Sequence, residues 1–281
     1  MIKSLVLYGF VAFWSQFAFA QAANPLEQLS ANNVAAVESF YSSLQSKFER
    51  GEASEYDLLD AYKVFYQRED RYRSHLDRWI NAYPKSSSAY LARGVYYRKL
   101  GEAARGTDYI SQVPSENVAY MEQMFEISKK DLKRSLKLNP KSYLSILHLL
   151  NIAQFQGDYK AADKYLALAN SVSPSNFLVR ARYLIQLAPK WGGSYRSMDK
   201  FINECRTQGL AQDKIDMLNA IKADDQGSAA EERGKSEFAR TEFKKALILS
   251  QGADQRIRQT YLASSLRICG ESEHRGKEYC R

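Results

Sequence analysis

Apolar residues recur at intervals of three and four along most of this chain, and this spacing constrains its fold more than any other feature. Val34, Val37, Tyr41, Leu44 and Phe48 step by 3, 4, 3 and 4 residues, which places them on one face of a helix. The sequence shows no sustained alternation of apolar and polar residues, the pattern of a half-buried strand. We therefore expect an all-α protein.

Start and stop signals divide the segment 21–84 into several N-terminal helices. Gly51 ends the first helix, and Ser54, with Asp57 three residues later, has the pattern of an N-cap for the second. Pro84 ends the third helix because proline cannot continue one.

Residues 1–20 have the pattern of a signal peptide. Lys3 supplies a positive start, a mostly apolar run follows, and Ala18 and Ala20 form the small-x-small pattern of a cleavage site. We expect cleavage after Ala20 and a periplasmic or secreted mature protein without an integral membrane span. An uncleaved membrane anchor is the alternative, but the run is shorter than the ~20 apolar residues that a span needs.

The chain is basic, with a formal net charge of +8 that falls by one when Lys3 is removed with the signal peptide. Because export removes access to nucleic acid, we expect no nucleic-acid partner. The surplus charge serves solubility, or it attracts anionic envelope polymers, lipid headgroups or an acidic protein.

A repeat of helix pairs follows the N-terminal helices. Pro140 and Pro174 are 34 residues apart, and each lies between an amphipathic helix and a new one. Gly157 lies at the turn between two helices, and the small residues Ala162 and Ala169 occur on the second of them. This pattern resembles the tetratricopeptide repeat, whose period is about 34 residues.

The resemblance implies an α-solenoid, a superhelix of stacked antiparallel helix pairs with degenerate repeats, over residues 85–250. Aromatic and small residues around Gly94 mark another first helix, and an insertion over 103–124 delays its partner helix. Residues 251–281 are expected to form a capping helix, over 257–268, and a tail.

The loop at 190–195, Lys-Trp-Gly-Gly-Ser-Tyr, carries a second resemblance. It is similar to the Trp-Gly-Gly-Ser loop of a bacterial domain-of-unknown-function family with a tetratricopeptide-like helical fold. That resemblance implies a fold and no catalytic residue. Trp191 is either a residue on which a ligand stacks or an anchor of the loop, and Ser194 is expected to cap the next helix.

Patterns typical of enzymes and metal sites are missing from the sequence. His75, His148 and His274 lie far apart, without a His-Glu-x-x-His motif or a paired-cysteine spacing. The acidic pairs at 69–70 and 224–225 are adjacent in helical sequence, so we expect them on solvated faces. We expect no catalytic residue, no metal and no cofactor.

Four polar residues occupy positions that face the groove in a tetratricopeptide stack, namely His148, Asn151, Gln154 and Arg182. Together with Trp191, they are expected to contact a protein or peptide partner. In peptide-binding members of that family an Asn and neighbouring cations hold a terminal carboxylate, whereas a leucine here replaces the expected lysine.

A basic stripe is predicted on the helix before Pro140, because five cations recur on one side of it. It consists of Lys129, Lys130, Lys133, Arg134 and Lys137. The stripe is either a solvated outer face or a surface for an anionic polymer.

The leading hypothesis is an exported, non-catalytic helical-repeat protein that binds a protein or peptide partner in the cell envelope. One alternative is an envelope hydrolase or transferase with a site around the Trp191 loop. Another is a binder of anionic polymers or lipid surfaces through the basic stripe. Salt dependence separates this last hypothesis from the first, because charge-driven binding weakens with ionic strength. The oligomeric state is left open.

The three cysteines give a testable prediction. Cys269 and Cys280 are expected to form a disulfide in an oxidising compartment, contributing about 3 kcal/mol to stability, while Cys205 is a buried structural thiol. Thiol titration of the denatured but unreduced protein should therefore find one free thiol per chain. Three free thiols would contradict the disulfide.

Overall fold

A computed structural model describes residues 24–106 and 110–269. This part of the chain contains fourteen α-helices and three short 3-10 turns and no strand, which confirms the predicted all-α class. The predicted signal peptide at 1–20 lies outside the described residues, as does Cys280, so both assignments stay predictions. Among the described helices, none combines the length and the apolar character that crossing a bilayer requires.

The helices follow one another with short connections. They are α1 (Pro25–Ser30), α2 (Val34–Glu49), α3 (Glu55–Tyr62), α4 (Arg71–Ala82), α5 (Ser87–Arg105), α6 (Ser115–Leu138), α7 (Tyr143–Phe155), α8 (Tyr159–Val172), α9 (Leu178–Gln186), α10 (Tyr195–Thr207), α11 (Gln212–Glu231), α12 (Ser236–Leu249), α13 (Gln255–Tyr261) and α14 (Ala263–Cys269). The 3-10 turns are Lys63–Phe65, Ile110–Gln112 and Pro189–Trp191.

The three helices predicted in the N-terminal segment correspond to α2, α3 and α4, and the structure adds the short helix α1 before them. Gly51 follows the end of α2 with a φ of 75°, a conformation that glycine adopts without strain. Ser54 and Asp57 form a reciprocal capping box at the start of α3. α4 ends two residues before Pro84.

Consecutive helices pack in pairs, α5 with α6, α7 with α8, and α11 with α12, and the first helices also touch along the series α5, α7, α9, α11. Two pairs approach closely at a glycine. A Cβ at Gly94 would lie 2.8 Å from side-chain atoms of Leu132, and one at Gly227 would lie 2.6 Å from the Phe243 ring. Real Cβ atoms do not approach this closely, so these two positions need a residue without a side chain.

The C-terminal part differs from the expectation in two ways. Instead of one capping helix over 257–268, the chain forms α13 and α14, separated at Leu262. Asp224 is also buried rather than solvated, and its Oδ1 accepts hydrogen bonds from the Ser265 backbone N at 2.7 Å and from Ser265 Oγ at 2.6 Å. The carboxylate thus accepts from a backbone N–H at the start of α14. The prediction that the two adjacent acids lie on a solvated face is therefore wrong for Asp224.

The N-terminal helices share one hydrophobic core with the rest of the chain, because a single cluster of buried side chains runs from Leu26 to Leu262. Glu55, at the start of α3, is 7% exposed. Its carboxylate accepts from the Phe177 backbone N at 2.7 Å, from the Leu178 backbone N at 2.9 Å and from Tyr143 Oη at 2.5 Å.

The position of Glu55 is electrostatically suited to a carboxylate. Free N–H groups and the positive end of the dipole lie at the N-terminus of α9, where Glu55 accepts. Burial raises the pKa of the Glu55 carboxyl, and the three hydrogen bonds act in the opposite direction because they favour the ionised form. This one side chain joins α3, α7 and α9.

Arg256 on α13 makes a second connection to α3. Its guanidinium donates to Asp57 Oδ1 at 3.0 Å and to Asp60 Oδ2 at 2.9 Å, and it also binds Asp254. The N-terminal and C-terminal helices therefore meet on one side of the helix stack.

We predict that Glu55→Gln destabilises the protein by roughly 1.5 to 3 kcal/mol, since the amide keeps one acceptor oxygen and turns a donor toward other donors. Urea unfolding of the purified protein measures this loss. Glu52→Gln is the matched control, because Glu52 is exposed and pairs with Arg50 at the surface, and it should leave the unfolding curve almost unchanged. Equal curves for both variants would contradict the role given to Glu55.

Candidate functional site

A cavity of about 750 Å³ lies where α5, α7 and α9 face the N-terminal and C-terminal helices. Its walls come from α3 and the turn after it, α5, α7, α9 and α13. Every residue of α7 from Tyr143 to Ala153 is buried, so this helix forms the centre of the molecule and the floor of the cavity. The chain connections described above, through Glu55 and Arg256, hold these walls together.

Positive charge dominates the lining of the cavity. Five cationic side chains and one carboxylate line it, namely Lys63, Arg68, Arg98, Lys99 and Arg182 with Glu102. Glu102 is shared, because it pairs with Arg98 and also with Lys99, whose Nζ lies 2.6 Å from Glu102 Oε2. Lys63 pairs with Asp60 at 2.6 Å. In the part of the chain that the structure describes, no carboxylate forms an ion pair with Arg68 or Arg182.

Two neighbouring cations on α5 lie in the cavity wall, Arg98 buried and Lys99 partly buried. Arg98 is 3% exposed, burial lowers its pKa, and its Nε has no hydrogen-bond partner among the described residues. Burial, together with the charges of Arg98, Arg182 and Arg68, lowers the pKa of Lys99 to about 7. The Lys99 Nζ lies 4.3 Å from the centroid of the Tyr66 ring, within the range of a cation–π contact. One shared carboxylate does not compensate both cations.

His148 lies on the floor of the cavity, at the inward position that the repeat pattern predicts. The side chain is fully buried, and neither ring nitrogen has a hydrogen-bond partner among the described residues. Burial, with Arg98 and Lys99 nearby, keeps its pKa well below the usual value. The ring is therefore neutral at physiological pH and offers one donor and one acceptor.

The other predicted groove residues lie in contact with one another. Arg182 Nε donates to Asn151 Oδ1 at 2.6 Å, and Gln154 Nε2 donates to the Arg182 carbonyl at 2.9 Å. Asn151 thus holds the guanidinium in place, while the two terminal nitrogens of Arg182 make no hydrogen bond within the described residues. These nitrogens are available to an anion that enters the cavity.

A smaller aromatic cleft of about 100 Å³ adjoins the cavity and shares Phe155, Arg182 and Ile185 with it. Its other lining residues are Gln154, Tyr159, Gln186 and Trp191. Trp191 is 47% exposed and Tyr159 is 56% exposed, so both rings present large apolar faces beside the cationic site. All five residues predicted to contact a partner line either the cavity or this cleft.

The exposure of Trp191 favours the interpretation in which a ligand stacks on it over the one in which it anchors its loop. The loop is held instead by its backbone, because Gly193 N donates to the Ala188 carbonyl at 3.2 Å. A Cβ at Gly193 would lie 2.1 Å from the Leu187 carbonyl oxygen. Ser194 caps α10 as predicted, accepting from the Ser197 backbone N at 3.0 Å.

The basic stripe lies on α6, outside the cavity. Lys130, Lys133, Arg134 and Lys137 are exposed, whereas Lys129 is partly buried and contacts Glu126 and Gln156. The stripe contributes no residue to the cavity lining.

The cavity contains functional candidates that the sequence analysis missed, chiefly Arg68, Arg98 and Lys99. The sequence signal for two of them is the adjacent cation pair Arg98-Lys99 within a largely buried helix. The described residues hold no group of three or more His, Cys, Asp or Glu side chains arranged to bind a metal ion. In comparisons with known proteins, no family model matches the chain and no curated protein matches it.

We predict that Gly193→Ala destabilises the protein by roughly 1 to 3 kcal/mol, because the added methyl group collides with a backbone carbonyl that has little freedom to move. Trp191→Ala should cost under about 1 kcal/mol, since half of the side chain is already in water. Thermal unfolding of the two variants measures both effects. If Trp191→Ala were the more destabilising of the two, the anchor interpretation of Trp191 would be restored.

Proposed function

We propose that this protein is an exported, non-catalytic helical-repeat module that binds a protein or peptide partner in the cell envelope. The proposal includes a tetratricopeptide-like α-solenoid. Its support is the 34-residue spacing in the sequence, the successive contacts of α5, α7, α9 and α11, and the close approach of paired helices at Gly94 and Gly227. Stacked helix pairs of this kind present a concave surface that suits an extended ligand.

The observation that carries the proposal is the juxtaposition of a cationic cavity and an exposed aromatic cleft across Arg182. An acidic peptide segment matches both, because its carboxylates pair with the free guanidinium nitrogens and an apolar side chain packs against Trp191 and Tyr159. A charge-assisted hydrogen bond of this kind contributes about 1.5 to 3 kcal/mol. Asn151 orients Arg182 through the bond at 2.6 Å, so the site is preorganised.

The composition of the cleft favours binding over catalysis. An enzyme needs an acid, a base or a nucleophile within hydrogen-bond reach of the reacting group. The residues that line the cleft around Trp191 include no carboxylate, histidine, serine or cysteine. A hydrolase or transferase at the Trp191 loop is therefore the weaker proposal. The basic stripe on α6 supports an alternative binder of anionic polymers or lipid surfaces, because its cations are exposed on one side of a helix.

A selection from a random displayed peptide library, with residues 21–281 as bait, tests the proposal. We expect enriched peptides that combine acidic residues with an aromatic or large apolar residue. Arg182→Ala should weaken the best of these peptides about 10- to 100-fold in a calorimetric titration, since each 1.4 kcal/mol is a factor of about ten. Trp191→Ala should weaken it less, through the loss of apolar contact alone.

Lys133→Ala combined with Lys137→Ala is the matched control, because it removes two exposed positive charges from the stripe and leaves the cavity intact. We expect the control to keep the affinity of the unaltered protein within about twofold. If the control loses binding and Arg182→Ala does not, the stripe replaces the cavity as the binding surface. Cleavage of a selected peptide by the protein would instead favour the enzyme.

A further inference from the structure

The inner part of the cavity, which we define by Arg98, Lys99 and His148 with Arg68 at its opening, carries more positive charge than the protein itself compensates. Glu102 is the one carboxylate that lines the cavity, and it is shared between Arg98 and Lys99. Arg68 has no carboxylate partner among the described residues. With Lys99 protonated, two positive charges therefore remain here without a counterion, apart from Arg182 at the aromatic end.

Two buried side chains at the same place have hydrogen-bonding atoms that the protein leaves unused. Arg98 is 3% exposed with an unpartnered Nε, and His148 is fully buried with both ring nitrogens unpartnered, as far as the described residues go. A buried polar atom without a partner costs about 1 to 3 kcal/mol, so sites of this kind are retained where something else completes them. Available donors beside uncompensated cations match an anion.

These groups surround one aromatic ring. The Lys99 Nζ lies 4.3 Å from the centroid of Tyr66, the Arg98 Cζ lies 5.9 Å from it, and the His148 ring centroid lies 6.4 Å away. Tyr66 comes from the turn after α3, Arg98 and Lys99 from α5, and His148 from α7. Three parts of the chain therefore place these donors near the same ring, and all of them line the same cavity.

We propose that the inner cavity binds a compact oxyanion with two negative charges, of the kind that a phosphate group carries. Arg98 and Lys99 donate to it, the His148 N–H completes the donor set, and Arg68 supplies charge at the opening. A singly charged carboxylate leaves one positive charge uncompensated, whereas a dianion neutralises both. Guanidinium groups suit phosphate oxygens because their donors form a planar fork. The inference rests on the same cavity as the proposed function, but anion binding does not depend on the binding of a peptide.

Anion binding is coupled to the protonation of Lys99. In the free protein the pKa of Lys99 is about 7, and an adjacent dianion raises it because the charged amine is then favoured. The anion thus binds the protonated form, and its affinity falls as the pH rises above about 7. The titratable and charged groups that face Lys99 from the surrounding elements are Lys63, Tyr66 and Arg68 beside α3, Arg98 and Glu102 on α5, His148 on α7, Arg182 on α9 and Tyr261 on α13.

Sulfate is the probe for this site, because it stays a dianion throughout the working range of pH. Calorimetric titration with sodium sulfate at pH 8, in two buffers with different ionisation enthalpies and at an ionic strength held constant with sodium chloride, measures binding and proton uptake together. We expect saturable binding with an uptake approaching one proton per chain at pH 8 and almost none at pH 6. The absence of saturable binding at matched ionic strength would overturn the proposal.

Two variants locate the site. Lys99→Met should weaken sulfate about tenfold or more and abolish the proton uptake at pH 8. Arg68→Ala should weaken sulfate while keeping the uptake, and it is a suitable second variant because Arg68 is exposed and exposed substitutions usually change stability little. Lys133→Ala, on the stripe, is the control for non-specific charge and should behave as the unaltered protein. Equal losses in the control and in Lys99→Met would overturn the assignment to the cavity.

The source of the dianion follows from two further probes at pH 8, inorganic phosphate and glycerol 3-phosphate. Tighter binding of glycerol phosphate assigns the site to a phosphate ester such as a lipid headgroup, and tighter binding of inorganic phosphate assigns it to the free ion. The outcome is independent of the peptide selection. If sulfate binds and no peptide is selected, the proposed peptide-binding function is contradicted and the dianion site is supported. If peptides are selected and sulfate does not bind, the dianion site is contradicted and the proposed function is supported.

Discussion

The buried carboxylate of Glu55 is the contact on which the arrangement of the cavity depends. It accepts from two backbone N–H groups at the start of α9 and from the Tyr143 hydroxyl on α7, and it thereby fixes α3 against the centre of the molecule. The turn after α3 supplies Lys63, Tyr66 and Arg68 to the cavity. This connection, together with the apolar packing of Leu58 and Tyr62, holds that wall of the cavity in place.

Arg256 reinforces the same wall from the other end of the chain. Its ion pairs with Asp57 and Asp60 bring α13 beside α3, and Tyr261 on α13 then lines the cavity. These pairs are partly exposed, so each adds little to stability by itself. Their effect is geometric, because they hold α13 beside α3, where both contribute residues to the lining of the cavity.

The incompletely paired positive charges inside the cavity favour the binding of an anion and do not stabilise the fold. Arg98 and Lys99 share a single carboxylate, and burial lowers the pKa of both side chains. Burying charge that is incompletely paired lowers the stability of the folded state. The same charges attract an anion, so an arrangement that is unfavourable in the free protein becomes favourable in a complex.

The sequence by itself determined the features that depend on neighbouring residues. The apolar spacing predicted the helices, and the capping box at Ser54 predicted the start of α3. The resemblance to a tetratricopeptide repeat predicted the inward positions of His148, Asn151 and Arg182. Hydrogen bonds and side-chain directions within one helix are set by separations of three and four residues, which a sequence displays directly.

Only the tertiary structure decided which charges meet. Asp224 accepts a hydrogen bond from the start of α14, 41 residues away in sequence. Glu55 accepts one from the start of α9, more than 120 residues away in sequence. Sequence separations of this size produce no periodic pattern. Arg68, Arg98 and His148 are likewise distant in sequence, and they line one cavity because separate helices pack around it. Burial, together with the charges of Arg98, Arg182 and Arg68, then lowers the pKa of the Lys99 amine, and both causes are properties of packing that local sequence does not encode.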